Sequence, residues 1–162
     1  MKLNKFFAIA LIALVGFTMA CGSTQKTEEV RSVSSGFGID AANEQLAKIP
    51  VVGFPPYQSS MPMSQFDKYG ENAATVAKGV VATLPEGYKI QLTGHANANS
   101  GRSAAFVKNI STQRAVFVKN YLVKKGLAAN KLVTVGAGDS QQDPNLSKEN
   151  NRRVTFSVVE AK

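Results

Sequence analysis

Residues 110–127 read ISTQRAVFVKNYLVKKGL, and this stretch predicts an amphipathic helix around which the rest of the fold can be arranged. Its apolar side chains recur at three- and four-residue spacing, as they do on the buried face of a helix. Ser111 is the predicted N-cap, because a serine hydroxyl can accept a hydrogen bond from a first-turn N–H. Gly126 is predicted to end the helix. The face expected in the core consists of Ala115, Val118 and Leu122, with Phe117 and Tyr121 beside it.

The segments around this helix predict a sheet and a second helix. Residues 63–84, MSQFDKYGENAATVAKGVVATL, have helical periodicity with Ser64 as the predicted cap. The run VVGF at 51–54, which precedes Pro55 and Pro56, suits an edge strand or the start of a strand. The order β-α-β-α-β-β predicts an α/β (α+β) sandwich with helices packed on one face of a mixed sheet. The other predicted strands are YKIQLTGH (88–95), KLVTVGAG (131–138) and RRVTFSVV (152–159).

The N-terminus has the pattern of a secretory signal. Lys2 and Lys5 form a positive region, and residues 6–17, FFAIALIALVGF, form an apolar run too short for a comfortable membrane span. Small residues then lead to Cys21, the only cysteine, so an internal disulfide is excluded. Residues 1–20 are therefore predicted to be a signal peptide.

Cys21 stands in the sequence T-M-A-C, which resembles the lipobox of bacterial lipoproteins. The resemblance implies that Cys21 is lipidated, for example with palmitate, and acyl chains hold a domain on a membrane by burying methylene groups. Gly22 in place of an acidic retention signal favours the outer membrane. The alternative is an ordinary signal peptide followed by an incidental cysteine. Residues 21–49 are then predicted to be a polar tether, in which Asp40 could cap a short helix, and residues 50–162 to be the domain.

Charge and composition restrict the functional classes. Removing residues 1–20 takes away Lys2 and Lys5 and no acids, so the net charge of +8 falls to +6. For an exported protein this balance favours an anionic wall polymer or membrane surface over nucleic acid. His95 is the only histidine, and the chain has no phosphate-binding glycine loop and no G-x-S-x-G motif. These features predict neither an enzyme nor a metal or cofactor site.

Four segments in order resemble the OmpA-like domain, the peptidoglycan-associated module of bacterial outer-membrane proteins and lipoproteins. They are TGHANANSG (93–101), ISTQRAVFVKNYLVKKGL (110–127), KLVTVGAGDSQQDP (131–144) and ENNRRVTFSV (149–158). The corresponding family motifs are G-H-T-D, L-S-x-x-R-A, G-Y-G-E and N-R-R-V. The resemblance covers about residues 50–160 and implies the same β-α-β-α-β-β sandwich.

The family binds a diamino acid in the peptide stem of the cell wall. In the family's pocket, an Asp contacts the ammonium of this ligand and an Arg contacts its carboxylate. The resemblance implies that Arg114, predicted in the first helical turn, contacts the carboxylate, since a guanidinium can engage it bidentately. Asn97 stands at the position of the Asp and can accept a hydrogen bond without neutralising a cation. Arg152 is implied to border the pocket, and Asn109 could replace a missing family asparagine. His95 is expected to support the loop by hydrogen bonding.

Two functions remain open from the sequence. The first is a non-enzymatic anchor that is lipidated at Cys21, lies at the outer membrane facing the periplasm, and binds the peptidoglycan stem peptide through Arg114. The second is a protein interaction module that has lost wall binding and contacts other envelope proteins through residues 96–109, where Phe106 and Val107 are apolar.

Overall fold

The computed structural model of the protein describes residues 38–97 and 101–161. The predicted signal peptide, Cys21 and the tether before residue 38 lie outside the described residues. Within the two described ranges, no helix combines the length and the apolar character that a membrane span requires. Helix α1 covers residues 38–47. The later elements are α2 (Met63–Thr83), β1 (Tyr88–His95), α3 (Ala104–Lys124), β2 (Leu132–Gly138), α4 (Lys148–Asn151) and β3 (Val154–Glu160).

The sheet has the strand order β2-β1-β3, with β1 parallel to β2 and antiparallel to β3. The predicted mixed sheet is therefore confirmed. The strand predicted at 51–54 is reduced to one bridge, in which Val51 and Val154 exchange backbone hydrogen bonds of 3.0 and 2.8 Å. A regular ladder does not form, because Gly53 has a positive φ of 83° and bends the chain before Pro55 and Pro56, although the N–H of Phe54 still donates to the carbonyl of Arg152 at 3.2 Å.

The helices cover one face of this sheet, as predicted. Ile90, Leu92 and Gly94 alternate along β1 toward the core, and their partners on β3 are Val158, Phe156 and Val154. The opposite face carries the part-exposed side chains of Lys89, Gln91 and Val133. Alternation of buried and part-exposed positions is what a sheet covered on one side requires. The helices contribute to the same core with Leu46, Phe66, Ala73, Ala77, Val80, Ala115, Val118 and Leu122.

Helix α1 lies within the segment predicted as tether, yet it contributes to the domain core. Leu46 is buried, and Asn43 accepts a hydrogen bond of 2.7 Å at Oδ1 from the backbone N–H of Val158. This contact satisfies a donor on β3, an edge strand whose backbone would otherwise be open on that side. Asp40 lies inside the described helix, so its predicted role as the N-cap was wrong.

Both predicted N-caps of the longer helices were also wrong. Helix α2 begins after Pro62 without a side-chain cap, and Ser64 lies inside it. Helix α3 begins after Ser103, whose Oγ accepts from the N–H of Phe106 at 3.3 Å. Ser103 offers the same capping chemistry as Ser111 two turns earlier, and no glycine or proline interrupts the residues between them. Gly126 does end α3, with φ 94°.

Ser111 instead joins α3 to the end of β2. Its hydroxyl donates to the carbonyl of Lys108 at 2.8 Å and accepts from the N–H of Gly138 at 2.9 Å. Gly138 has φ 62°, as expected for a glycine that meets a backbone demand.

Two glycines let α3 lie directly on the sheet. Gly94 and Gly136 are paired across β1 and β2. A Cβ on Gly94 would lie 1.8 Å from the carbonyl oxygen of Ser111, and one on Gly136 would lie 2.2 Å from Oγ1 of Thr112. Both distances are shorter than a van der Waals contact. Because the atom that the Gly94 Cβ would meet belongs to the backbone, the helix would have to move away from the sheet.

We therefore expect Gly94→Ala to lower the free energy of unfolding by about 1–3 kcal/mol or more, the usual cost of overpacking a core. Urea denaturation of the chain from Gly22 to Lys162 measures this effect. Gly79→Ala is the control, because Gly79 is exposed on α2, a Cβ there meets nothing within 4 Å, and the substitution should be neutral or stabilising. Equal urea midpoints for the two variants would contradict the close packing.

His95 ends β1 as a buried side chain, 3% exposed. Its Nε2 lies 2.8 Å from Oγ1 of Thr155, and Nδ1 has no hydrogen-bond partner among the described residues. Burial, and secondarily the charge of Arg153, lower the pKa of His95 to about 4. The ring is therefore neutral at pH 7 and supports the end of the strand.

Because this pKa lies below the value near 6.5 of an unfolded histidine, the unfolded chain binds a proton that the folded protein excludes. His95 thus contributes stability that is present above pH ~6.5 and is lost as the pH falls toward 4. Between pH 7 and pH 5 we expect a loss of about 2 kcal/mol. Urea denaturation at both pH values measures it, with His95→Gln, which cannot titrate, as the reference. The same pH dependence in His95→Gln would show that other groups cause it.

Candidate functional site

A cavity of about 230 Å³ opens where β1 ends, between α3, α4 and the loop that follows Phe54. This volume is below the ~300–1,000 Å³ of sites for drug-sized ligands and suits a group the size of an amino-acid side chain. Asn97 lines it beside charged and apolar side chains. The charged residues are Arg114, Lys148 and Arg152, and the larger apolar ones are Tyr57, Phe106 and Ile110.

Arg114 is the buried charged residue that lines this cavity. Only 1% of the residue is exposed. Its Nε donates to the carbonyl of Gln58 at 2.9 Å, Nη1 to that of His95 at 2.9 Å, and Nη2 to that of Pro55 at 3.1 Å. A guanidinium has five N–H groups, so two have no recorded acceptor among the described residues. Arg114 therefore braces the surrounding backbone and still borders the cavity.

The charge of Arg114 has no carboxylate partner in the described part of the chain, where the recorded ion pair is Lys125 with Glu71 on the helical surface. Burial, and then the charge of Arg152, lower the pKa of Arg114 to about 10. At pH 7 the group is still charged. The ring of Phe54, whose centroid lies 5.3 Å from Cζ, offers a cation–π contact.

The predicted position of Arg114 in the first helical turn was wrong. Since α3 begins at Ala104, Arg114 is its eleventh residue. The potential of a helix N-terminus falls off within the first turn, so it does not assist anion binding at this position. The preference for an anion comes from the side-chain charges.

Arg152 lines the same cavity, whereas Arg153 points elsewhere. Arg152 donates from Nε to the carbonyl of Phe54 and from Nη1 to that of Lys148 at 3.0 Å. Arg153 donates to Oδ1 of Asn151 at 2.9 Å and to the carbonyl of Gln141 at 3.2 Å. Only the first arginine of N-R-R is therefore brought to the cavity.

The two candidate asparagines are separated. Asn97 is half-buried at the end of β1 and lines the cavity. Asn109 lies exposed on α3 and is not among the lining residues, so the structure does not bring it to the site.

Sequence reasoning named Phe106 as a protein contact but missed Lys148 and the pairing of Tyr57 with Phe106 at the outer rim. Lys148 follows Ser147, which caps α4, and stands four residues before Arg152. This i, i+4 spacing could have indicated that both lie on one face of a short helix. The rim is formed by Tyr57 and Phe106, whose ring centroids are 6.5 Å apart, with Cζ of Arg102 5.3 and 5.4 Å from the two rings. No local pattern links Tyr57 to Phe106, since they are distant in the sequence.

The described lining of the cavity is positive. Among the described residues that line it, none is acidic, and the sequence contains no Asp or Glu between Glu86 and Asp139. Glu149, which lies between Lys148 and Arg152 in the sequence, is not among the lining residues. No cluster of possible metal ligands occurs among the described residues. This arrangement can bind a carboxylate through charge-assisted hydrogen bonds.

Comparisons with known proteins agree with the fold. The structure is similar to the peptidoglycan-associated lipoprotein from Burkholderia pseudomallei, with 18% identity, a TM-score of 0.56, and coverage of 75% of this chain and 99% of that one. The OmpA-like domain of FopA1 from Francisella tularensis has 19% identity, a TM-score of 0.54, and coverage of 69% and 70%. The C-terminal domain of Helicobacter pylori MotB has 21% identity, a TM-score of 0.54, and coverage of 70% and 86%. No curated protein sequence matches this chain.

The sequence profile of the OmpA family matches residues 65–155, which is more than half of the 162 residues. This range contains α3, β1 and β2, nearly all of α2, the first two residues of β3 and most of the cavity lining. Together with the mixed sheet and the helices on one of its faces, the match establishes that the chain belongs to the OmpA family.

Proposed function

We propose that the protein is an outer-membrane lipoprotein that binds peptidoglycan non-covalently and tethers the membrane to the wall, without catalysing a reaction. The observation that carries this proposal is the charged guanidinium of Arg114, which borders an amino-acid-sized cavity and has no carboxylate partner among the described residues. A ligand carboxylate would supply that partner.

The other lining charges support the same ligand class. Lys148 and Arg152 also line the cavity and can contact the same anionic group as Arg114 or a second one. Stem peptides of the wall carry carboxylates, and the Burkholderia relative in fold is described as peptidoglycan-associated. Membership of the OmpA family favours the same ligand.

Membrane attachment through Cys21 completes the proposed tether. The lipobox-like T-M-A-C and the signal-like residues 1–20 favour export and lipidation. Some 16 residues, 22–37, precede α1 and would span at most ~55 Å when extended. The domain would then bind wall polymer close to the membrane surface.

Lys148→Gln and Arg152→Gln should each weaken binding to purified sacculi about fivefold, because each removes a charge-assisted hydrogen bond worth ~1 kcal/mol more than a neutral one. Co-sedimentation of the chain from Gly22 to Lys162 over a range of sacculus concentrations measures this. Arg114→Ala is a poorer probe, since it also removes three buried hydrogen bonds to backbone carbonyls.

Lys89→Gln is the matched control, because Lys89 lies on the sheet face opposite the helices and should leave sedimentation unchanged. Equal losses in all three variants would indicate non-specific attraction between a basic protein and an anionic polymer. Unchanged binding in Lys148→Gln and Arg152→Gln would reject the cavity as the wall site.

The exposed rim favours a second candidate, a protein interaction module. Tyr57 is 51% exposed and Phe106 is 38% exposed, and the two rings adjoin. Paired exposed aromatics are typical of protein contacts. In this case Arg114 would have only its bracing role, and Phe106→Ser would abolish binding to an envelope partner while sacculi are not bound at all.

Lipidation makes a separate prediction. Cys21→Ser should abolish incorporation of radiolabelled palmitate and move the protein from the membrane to the soluble fraction, because the acyl chains would be lost. Ser23→Ala, two residues away, is the control and should keep both label and fraction. Retention of Cys21→Ser in the membrane fraction would contradict a lipid anchor at this residue.

A further inference from the structure

We propose that the cavity selects a stem-peptide carboxylate whose neighbouring side-chain amine is acylated, as it is in a cross-link, over one whose amine is a free ammonium. This inference rests on the proposed function and specifies the ligand of the same site. It follows from the charges, the amide and the apolar wall of the cavity.

The charges disfavour an ammonium. Arg114, Lys148 and Arg152 all line the cavity, and no acid from residues 38–97 or 101–161 does. Even the residues next to Asn97 cannot supply one, because the sequence has no Asp or Glu between Glu86 and Asp139. A ligand ammonium would enter beside three positive charges, and like charges at close range repel most strongly where water is partly excluded. A ligand that carries only the carboxylate avoids this repulsion.

Asn97 suits an acylated amine. Its side-chain amide has both a donor and an acceptor, and so does the secondary amide that acylation creates. The amide of Asn97 can therefore either donate to the ligand amide or accept from it. An ammonium offers donors only, and the oxygen of Asn97 cannot balance its charge.

The apolar wall accepts the acyl group itself. Phe106, Val107 and Ile110 line one side of the cavity and come from successive turns of α3. Val107 is buried and Phe106 is part-exposed at the rim, so the wall extends from the interior to the opening. Contact with an acyl chain would remove apolar surface from water, whereas an ammonium at this wall would lose hydration without compensation.

Two synthetic peptides test the proposal. Both have the sequence L-Ala-γ-D-Glu-diaminopimelate, one with a free side-chain amine and one with that amine acetylated. Isothermal titration calorimetry with the full chain in detergent should give at least about fivefold tighter binding of the acetylated peptide. The reason is that the ammonium of the free-amine peptide would lie in the cavity without a carboxylate partner. Asn97→Asp should improve binding of the free-amine peptide by about 5- to 30-fold and remove the preference.

Asn120→Asp makes the same chemical change on the exposed surface near the other end of α3, and should leave both affinities unchanged. Equal or tighter binding of the free-amine peptide by the parent protein would overturn this inference and leave the proposed function intact. Binding of neither peptide, by the parent protein or by Asn97→Asp, would overturn both.

Discussion

The buried guanidinium of Arg114 is the interaction on which the pocket depends. It connects α3 to the last residue of β1 through the carbonyl of His95 and to the loop after Phe54 through the carbonyls of Pro55 and Gln58. These carbonyls belong to the last residue of β1 and to a loop outside the sheet. A planar group with donors in three directions satisfies all of them at once, which a lysine could not do in the same geometry. The walls of the cavity therefore exist because of the same side chain that would bind the ligand.

The depth at which this guanidinium lies is set by the paired glycines beneath α3. Gly94 and Gly136 bring the backbone of Ser111 and Thr112 into contact with the sheet, and Arg114 follows one turn later on the same helix. The hydroxyl of Ser111 then reaches the N–H of Gly138. Glycine in two neighbouring strands lacks side-chain packing, and the close helix contact compensates for that loss. Helix position and ligand chemistry are thus linked through residues that never meet the ligand.

The sequence predicted the larger elements because their patterns are local. Apolar spacing located α2 and α3, alternation located three strands, and ordered motifs identified the family and the candidate residues Arg114, Asn97 and Arg152. The errors occurred where two residues carry the same local signal. Ser103 and Ser111 are equally good caps in isolation, and only the contact of Ser111 with Gly138 shows why it belongs inside the helix.

Residues brought together by the tertiary fold escaped prediction for a different reason. Tyr57 and Phe106 meet across a loop and a helix, and two of the three acceptors of Arg114 lie more than fifty positions earlier in the chain. Neither relation leaves a periodic trace in the sequence. Lys148 and Arg152 are the exception, because their i, i+4 spacing in the sequence predicts that they lie on one face of a helix.

The contact between α1 and β3 has a mechanical consequence. A pulling force on the chain before residue 38 enters the domain through α1, which is fastened by Leu46 in the core and by Asn43 on Val158. That force acts first on these two contacts, because residues 38–47 precede every other described element of the domain. The loop that carries Pro55 and Gln58 follows α1 in the chain. A load arriving from the N-terminal side therefore meets the α1 contacts before it reaches the Arg114 pocket at the end of β1.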